Sequence, residues 1–190
     1  MKDPLEHVAL TLLKELGEDP TREGLLKTPQ RFAKAMRELT SGYARTPRDV
    51  IGEGVFSSES SDPVIVARMK FYSICEHHLL PFFGKCSVAY VPRGKIIGLS
   101  KIPRVVDIFS QRFQVQEHLT QQIGDAIEDS ISPAGVAVVM SATHLCSVMR
   151  NLQDHDAPMI TGYRRGVYRD DNALFESFKR TALSEGAGNE

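Results

Sequence analysis

Two short runs gather the strongest chemistry in this chain. Cys75-Glu76-His77-His78 and His144-Leu145-Cys146 hold two of its three cysteines and three of its six histidines. Thiolate and imidazole are the donors that hold zinc tetrahedrally, and a catalytic zinc takes three protein ligands and leaves a fourth position to water. The runs offer more donors than such a site needs. That surplus points to a metal with proton-handling histidines beside it, which is an active site. A closed structural site with four protein ligands is the competing reading, and spacing alone leaves it open.

The elements around these runs have to bring them together. Residues 64–75, VIVARMKFYSIC, are β-branched and aromatic with partial alternation, so a strand leads straight into Cys75. The run Gly135–Met140 begins a second strong strand expected to continue through His144 and Cys146. Side chains alternate along a strand, so these two would face one side about 6–7 Å apart. If the chain turns just after Ile74, Cys75 and His78 converge as ligands spaced by two residues do. His77 and His78 are adjacent and cannot both reach one metal from a regular backbone; one is a ligand and the other is free for proton transfer. Cys86 lies in an expected strand, 85–91, with no histidine near it, and reads as a small core hydrophobe.

The remaining segments set the architecture. Apolar residues at 5, 8, 9, 12, 13 and 16 form a helical stripe that Gly17 is placed to end. Thr28-Pro29 reads as an N-cap followed by a first-turn proline, opening a second helix with Phe32, Ala33, Met36 and Leu39 on one face. Residues 1–43 are therefore a helical hairpin, 44–62 a connector rich in Gly, Ser and Pro, 63–184 the catalytic domain and 185–190 a frayed tail. Within 63–184, Leu79–Gly84 is an apolar turn. A short strand is expected at 95–98, helices near 103–112 and 115–130, a last strand near 164–169 and a helix from about 171 to 183. The class is α+β with mostly antiparallel pairing.

Composition narrows the function classes. Charged residues are 25% and hydrophobic residues 42% of 190, and the formal net charge is −1. No global basic field points to nucleic acid. No stretch approaches the roughly 18 apolar residues of a membrane span. An odd number of cysteines with no apolar leader at the start fits a reducing cytoplasm, where thiols serve as ligands or core residues.

At these residues the chain resembles the GTP cyclohydrolase I family. The resemblance is carried by Cys75-Glu76-His77-His78-Leu79-Leu80-Pro81-Phe82-Phe83-Gly84, by Ile97-Gly98-Leu99-Ser100-Lys101 and by Gln114-Val115-Gln116-Glu117. His144-Leu145-Cys146 and Met149-Arg150 follow in the family's order, and Thr28-Pro29-Gln30-Arg31 resembles its N-terminal motif. The match runs from about residue 17 to 150. It implies the tunnelling fold, a four-stranded antiparallel sheet backed by two antiparallel helices. It further implies a homodecamer of two stacked pentamers with active sites at subunit interfaces.

By position, the resemblance assigns Cys75, His78 and Cys146 as ligands of Zn2+, His144 as the general acid toward purine N7 and His77 as a second proton carrier. Glu117 would accept from the guanine N1–H and 2-amino group. Gln116 and Leu99 would line the base pocket, and Ser100 would address ribose or phosphate. Lys101, Arg104 and Arg150, with Arg31 from a neighbour, would hold the triphosphate. The implied reaction opens the imidazole ring of GTP hydrolytically, releases formate and rearranges the ribose to give 7,8-dihydroneopterin triphosphate, the first step toward tetrahydrofolate and pterins. A paralogue feeding deazapurine synthesis shares that first product. A non-catalytic zinc-stabilised assembly subunit would instead show a fourth protein ligand. The fold's nitrile-reducing sibling lacks this ligand set. The pattern departs from the family's at 151–165 and at His118, where an arginine is usual.

Overall fold

A computed structural model of the chain describes residues 3–150 and 157–184, so the expected tail at 185–190 lies outside the described residues. The contacts divide the chain into a unit up to Ser41 and a larger one from Gly42 onward.

The first unit is an antiparallel pair of helices, α1 (Pro4–Glu15) and α2 (Thr28–Leu39), linked through a 3₁₀ turn at Glu23–Leu25. Asp3 begins α1 by accepting from the Leu5 amide at 3.0 Å, and the same carboxylate takes both Arg37 Nε and Nη2, at 2.6 and 2.7 Å. Gly17 follows the helix with φ +83°, the left-handed conformation that glycine adopts without steric cost. The α1 stripe is only partly used within the chain: Ala9 is buried, while Val8, Leu12 and Leu16 are exposed. Thr28 is the first helical residue rather than the cap; Lys27 occupies the N-cap position and no side chain caps the helix.

The second unit holds the sheet. Residues 44–62 carry α3 (Pro47–Ile51) and β1 (Val55–Ser57) where a connector was expected. Thr46 and Asp49 form a reciprocal capping box at the start of α3. Then come β2 (Val64–Cys75), β3 (Pro81–Val91), β4 (Lys95–Ile97), α4 (Lys101–Ser110), β5 (Phe113–Gln114), α5 (Gln116–Ile131), β6 (Gly135–His144), α6 (Leu145–Val148), β7 (Met159–Gly166), α7 (Val167–Asp170) and α8 (Asn172–Leu183). The main sheet has the order β5-β2-β3-β6-β7, and β1 pairs separately with β4. Its four long strands are antiparallel, as expected, and short β5 is added in parallel at the edge, pairing Ile74 and Cys75 with Phe113 and Gln114.

Alternation along the strands builds a core on each face. Val136, Val138, Met140 and Ala142 of β6 join Cys86, Val88 and Tyr90 of β3 beneath α4 and α5, with Ile102, Val106, Leu119, Ile123 and Ile127 from the helices. The intervening Ala137 and Val139, with Ala89, face the other way and are covered by Tyr168, Phe175 and Phe178 of α7 and α8. So the C-terminal helix closes part of the face opposite the two backing helices. Cys86 is fully buried in the first core, and burial pushes its thiol far above its ordinary range, in keeping with a core hydrophobe. At Gly84 the β6 backbone leaves no room for a side chain: a Cβ there would lie 2.0 Å from the Ser141 carbonyl. Among the described residues, no helix is long and apolar enough to cross a membrane.

Three boundaries differ from the sequence reading. β3 begins at Pro81, so most of the expected apolar turn is strand. β6 ends at His144, and Cys146 stands on the helical turn of α6; the strand alternation expected to align the two does not reach Cys146. The last strand is Met159–Gly166, earlier than expected, and 167–170 form a helical turn around buried Tyr168.

Candidate active site

The site forms where β2 ends. The Cys75 amide donates to the Leu80 carbonyl and the Leu79 amide to the Cys75 carbonyl, both at 2.9 Å, which folds 76–80 into a tight turn. Leu79 takes φ +55°, a left-handed conformation that costs a branched side chain energy and that the surrounding bonds must hold. The Glu76 amide donates to the Gln114 carbonyl at 3.0 Å, so the parallel β5 pairing brings the start of α5, with Gln116 and Glu117, beside the cysteine. On the other side β3 pairs with β6 and places Phe82 opposite His144. Two residues further, within the first turn of α6, Cys146 reaches the same cavity.

The result is a cavity of about 460 Å³ lined by Cys75, Glu76, His77, His78, Val115, Gln116, Glu117, His118, His144, Cys146 and Met159. Within it, Cys75, His78 and Cys146 offer ligand atoms that all lie within 4.8 Å of one another. Cys75 Sγ and His78 Nδ1 are 3.9 Å apart. Both cysteines are buried and His78 is exposed, so the group sits at the cavity wall with one side open. Burial pushes the Cys146 thiol up, and the hydrogen bond and charge of neighbouring Cys75 push the same way; Arg150 opposes them. Two thiols crowded in this way are a pair for which a cation is the natural partner.

His77 lines the cavity without joining that group. Its Nε2 stands 3.9 Å from a Glu76 carboxylate oxygen, and its ring meets His78 edge-on. His144 is held differently. Its Nε2 is 2.9 Å from Gln116 Oε1, and its ring lies parallel to Phe82, 4.6 Å between centroids. Burial lowers its pKa, and the Glu117 carboxylate works against that. Arg150 Nη1 donates to His78 Nε2 at 3.2 Å, which brings a guanidinium to the rim.

Other expected residues stand elsewhere. Leu99, Ser100 and Arg104 are exposed at and just before the start of α4, and the Lys101 stem runs over Gly54, whose Cβ would clash with it. None of these four lines the cavity. Arg31 is exposed on α2, in the first unit. The structure also adds residues that sequence reasoning did not single out. Phe82 stacks on His144. Thr161 and Met159 of β7 grip Gln116. Glu76 lines the cavity, and so does His118, which the sequence had marked only as a departure from the family pattern. Phe82 was visible within the quoted run, whereas Thr161 lies in the stretch where the family pattern departs.

A model of the GTP cyclohydrolase I family matches residues 5–182, so the match continues well past Arg150, where the resemblance was expected to end. The chain is 50% identical over 167 residues to the GTP cyclohydrolase 1 of Deinococcus radiodurans, covering 88% of this chain and 77% of that one. It is 51% identical over 180 residues to that of Chlorobium chlorochromatii, covering 95% and 81%. It is 47% identical over 178 residues to that of Methylococcus capsulatus, covering 94% and 96%. Among solved structures, the apo archaeosine synthase QueF-Like aligns with a TM-score of 0.46 at 18% identity, over 57% of this chain and 97% of that one.

Proposed function

The chain belongs to the GTP cyclohydrolase I family, and from that premise we propose that it opens the imidazole ring of GTP with the help of zinc, releasing formate and forming 7,8-dihydroneopterin triphosphate. The observation that carries this reading is the convergence of Cys75, His78 and Cys146 with His77, His144 and Glu117 around one cavity. Two thiols and an imidazole are a soft donor set suited to zinc. Tetrahedral zinc, with ligand bonds of about 2.0–2.3 Å, sets its donors about 3.5–3.8 Å apart, and the Cys75–His78 separation of 3.9 Å is close to that. When bound, zinc supplies the Lewis acidity that makes water a nucleophile near neutral pH.

The chain's own residues do the rest. Glu117 accepts from the guanine N1–H and 2-amino group, which orients the purine and rejects bases lacking that amine. His144 delivers a proton to N7 as water adds at C8. His77 moves protons in the bond-breaking and ribose steps, and C8 leaves as formate. Gln116 walls the base pocket. Arg150 meets the triphosphate at the rim, where a guanidinium can bind phosphate bidentately. Leu99, Ser100, Lys101 and Arg104 belong to the same site, with Arg31, when a neighbouring copy completes it. That Leu99, Ser100, Lys101 and Arg104 do not line the single-chain cavity supports the reading of a site at a subunit interface, in a homodecamer of two stacked pentamers. On this reading the protein is a cytoplasmic enzyme acting at the first step toward tetrahydrofolate.

The direct test is incubation of the zinc-loaded protein with GTP, followed by oxidation of the product to a fluorescent pterin. Fluorescence that depends on GTP and zinc supports the reading. Its absence from assembled, zinc-replete protein refutes it.

A further inference from the structure

Gln116 is wholly buried, although it is the first residue of a helix beside an open cavity. Its amide is gripped from every side. Nε2 lies 3.0 Å from the Met159 carbonyl and 3.1 Å from Thr161 Oγ1, with the Met140 carbonyl at 3.4 Å. Oε1 lies 2.9 Å from His144 Nε2.

These contacts fix the direction of every proton. Thr120 Oγ1 gives its single proton to the Gln116 carbonyl at 2.6 Å. In the 2.6 Å contact between Thr120 and Thr161 the donor must therefore be Thr161. With its own proton spent, Thr161 Oγ1 can only accept from Gln116. Backbone carbonyls accept only, so the amide nitrogen must face Met159 and Thr161. The opposite flip would set an oxygen against a carbonyl and a hydroxyl whose proton is already committed. The amide oxygen is thus left facing His144, and Nε2 of the imidazole must carry the hydrogen.

We infer that Gln116 is a positioning residue which holds neutral His144 as its Nε2–H tautomer, with Thr161 and Thr120 locking the amide that does so. The ring's lone pair then lies on Nδ1, so on the proposed reaction Nδ1 must first take up the proton that His144 delivers to N7, and delivery returns the ring to the neutral Nε2–H form. Phe82 fixes the plane of the ring from one face, and Gln116 fixes its rotation at the edge. The tautomer stands on geometry alone; its consequence for turnover rests on the proposed ring opening.

Neutron diffraction from crystals of the deuterium-exchanged, zinc-loaded protein tests this. The crystals are held about two pH units above the ordinary histidine pKa so that the ring is neutral. Deuterium on His144 Nε2 with none on Nδ1 is the expected result; deuterium on Nδ1 with Nε2 bare overturns the inference. Kinetics of Gln116→Met, which keeps volume and removes the acceptor, give a second reading. A fall of about tenfold or more in kcat, with zinc content and KM for GTP within about twofold, is the expected split. An unchanged kcat overturns the positioning role. Should Gln116→Met fail to fold, the neutron result on the unaltered protein still decides. A protein with the expected deuterium but no formate from GTP would refute the ring opening and leave the tautomer standing.

Discussion

The rings of Phe82 and His144 lie parallel across β3 and β6, 4.6 Å between centroids and 5° between planes. Phe82 is fully buried, so the histidine rests on a surface that cannot move without opening the core. Replacing Phe82 with Leu keeps an apolar wall and removes the flat face. Turnover is expected to fall several-fold while zinc content holds. Phe82→Ala is expected to destabilise the fold by about 3–5 kcal/mol as well, measured by denaturant unfolding. Wild-type turnover in Phe82→Leu would show that the stack does not orient the ring.

The division between ligands and proton carriers makes opposite demands on neighbouring residues. Cys75→Ser and Cys146→Ser are expected to lose zinc, measured by metal analysis after dialysis. His144→Ala is expected to keep zinc and to slow ring opening by about 10²–10⁴-fold. Release of the metal by His144→Ala would mean that the ligand set is wrongly divided.

Glu117 sits in the first turn of α5 at the cavity wall. A charged hydrogen-bond partner is worth about 1.5–3 kcal/mol, so Glu117→Gln is expected to raise KM for GTP by roughly 10–100-fold. The unaltered protein is expected to discriminate strongly against inosine triphosphate, which lacks the 2-amino group. Equal handling of both nucleotides would remove Glu117 from base recognition.

The helical hairpin carries its own acid response. The Arg37 guanidinium holds the Asp3 carboxyl at about 2, below its ordinary value of 3.8. A depressed folded-state pKa means that the stabilisation is fully present above the unfolded value and is lost as pH falls through the folded one. Amide exchange in α1 is therefore expected to accelerate between about pH 4 and pH 2, beyond the intrinsic change, and Asp3→Asn is expected to abolish that step. An identical profile in the variant would contradict the assignment.

The candidate metal group at Cys75 and the strand leading to it were readable because β2 is a long β-branched run that stops at the chemistry. Cys146 was placed by family resemblance but not by periodicity. His144-Leu145-Cys146-Ser147-Val148 carries no glycine or proline to announce that β6 stops and a helical turn begins. The unbroken apolar run Val136–Met140 did hold a further message. A strand apolar on consecutive positions is covered on both faces, and α8 supplies the second cover through Phe175 and Phe178. The Gln116 network escaped sequence reading for a different reason. It joins α5 to Thr161, 45 residues away, and only the β6–β7 register makes them neighbours.

The central claim is that the histidines beside the metal group expel purine C8 as formate. GTP labelled with carbon-14 at C8, given to zinc-loaded assembled protein, measures this directly. Label recovered as formate in equal amount to the pterin formed is the expected result. Label retained in the nucleotide, with zinc bound stoichiometrically, would contradict it.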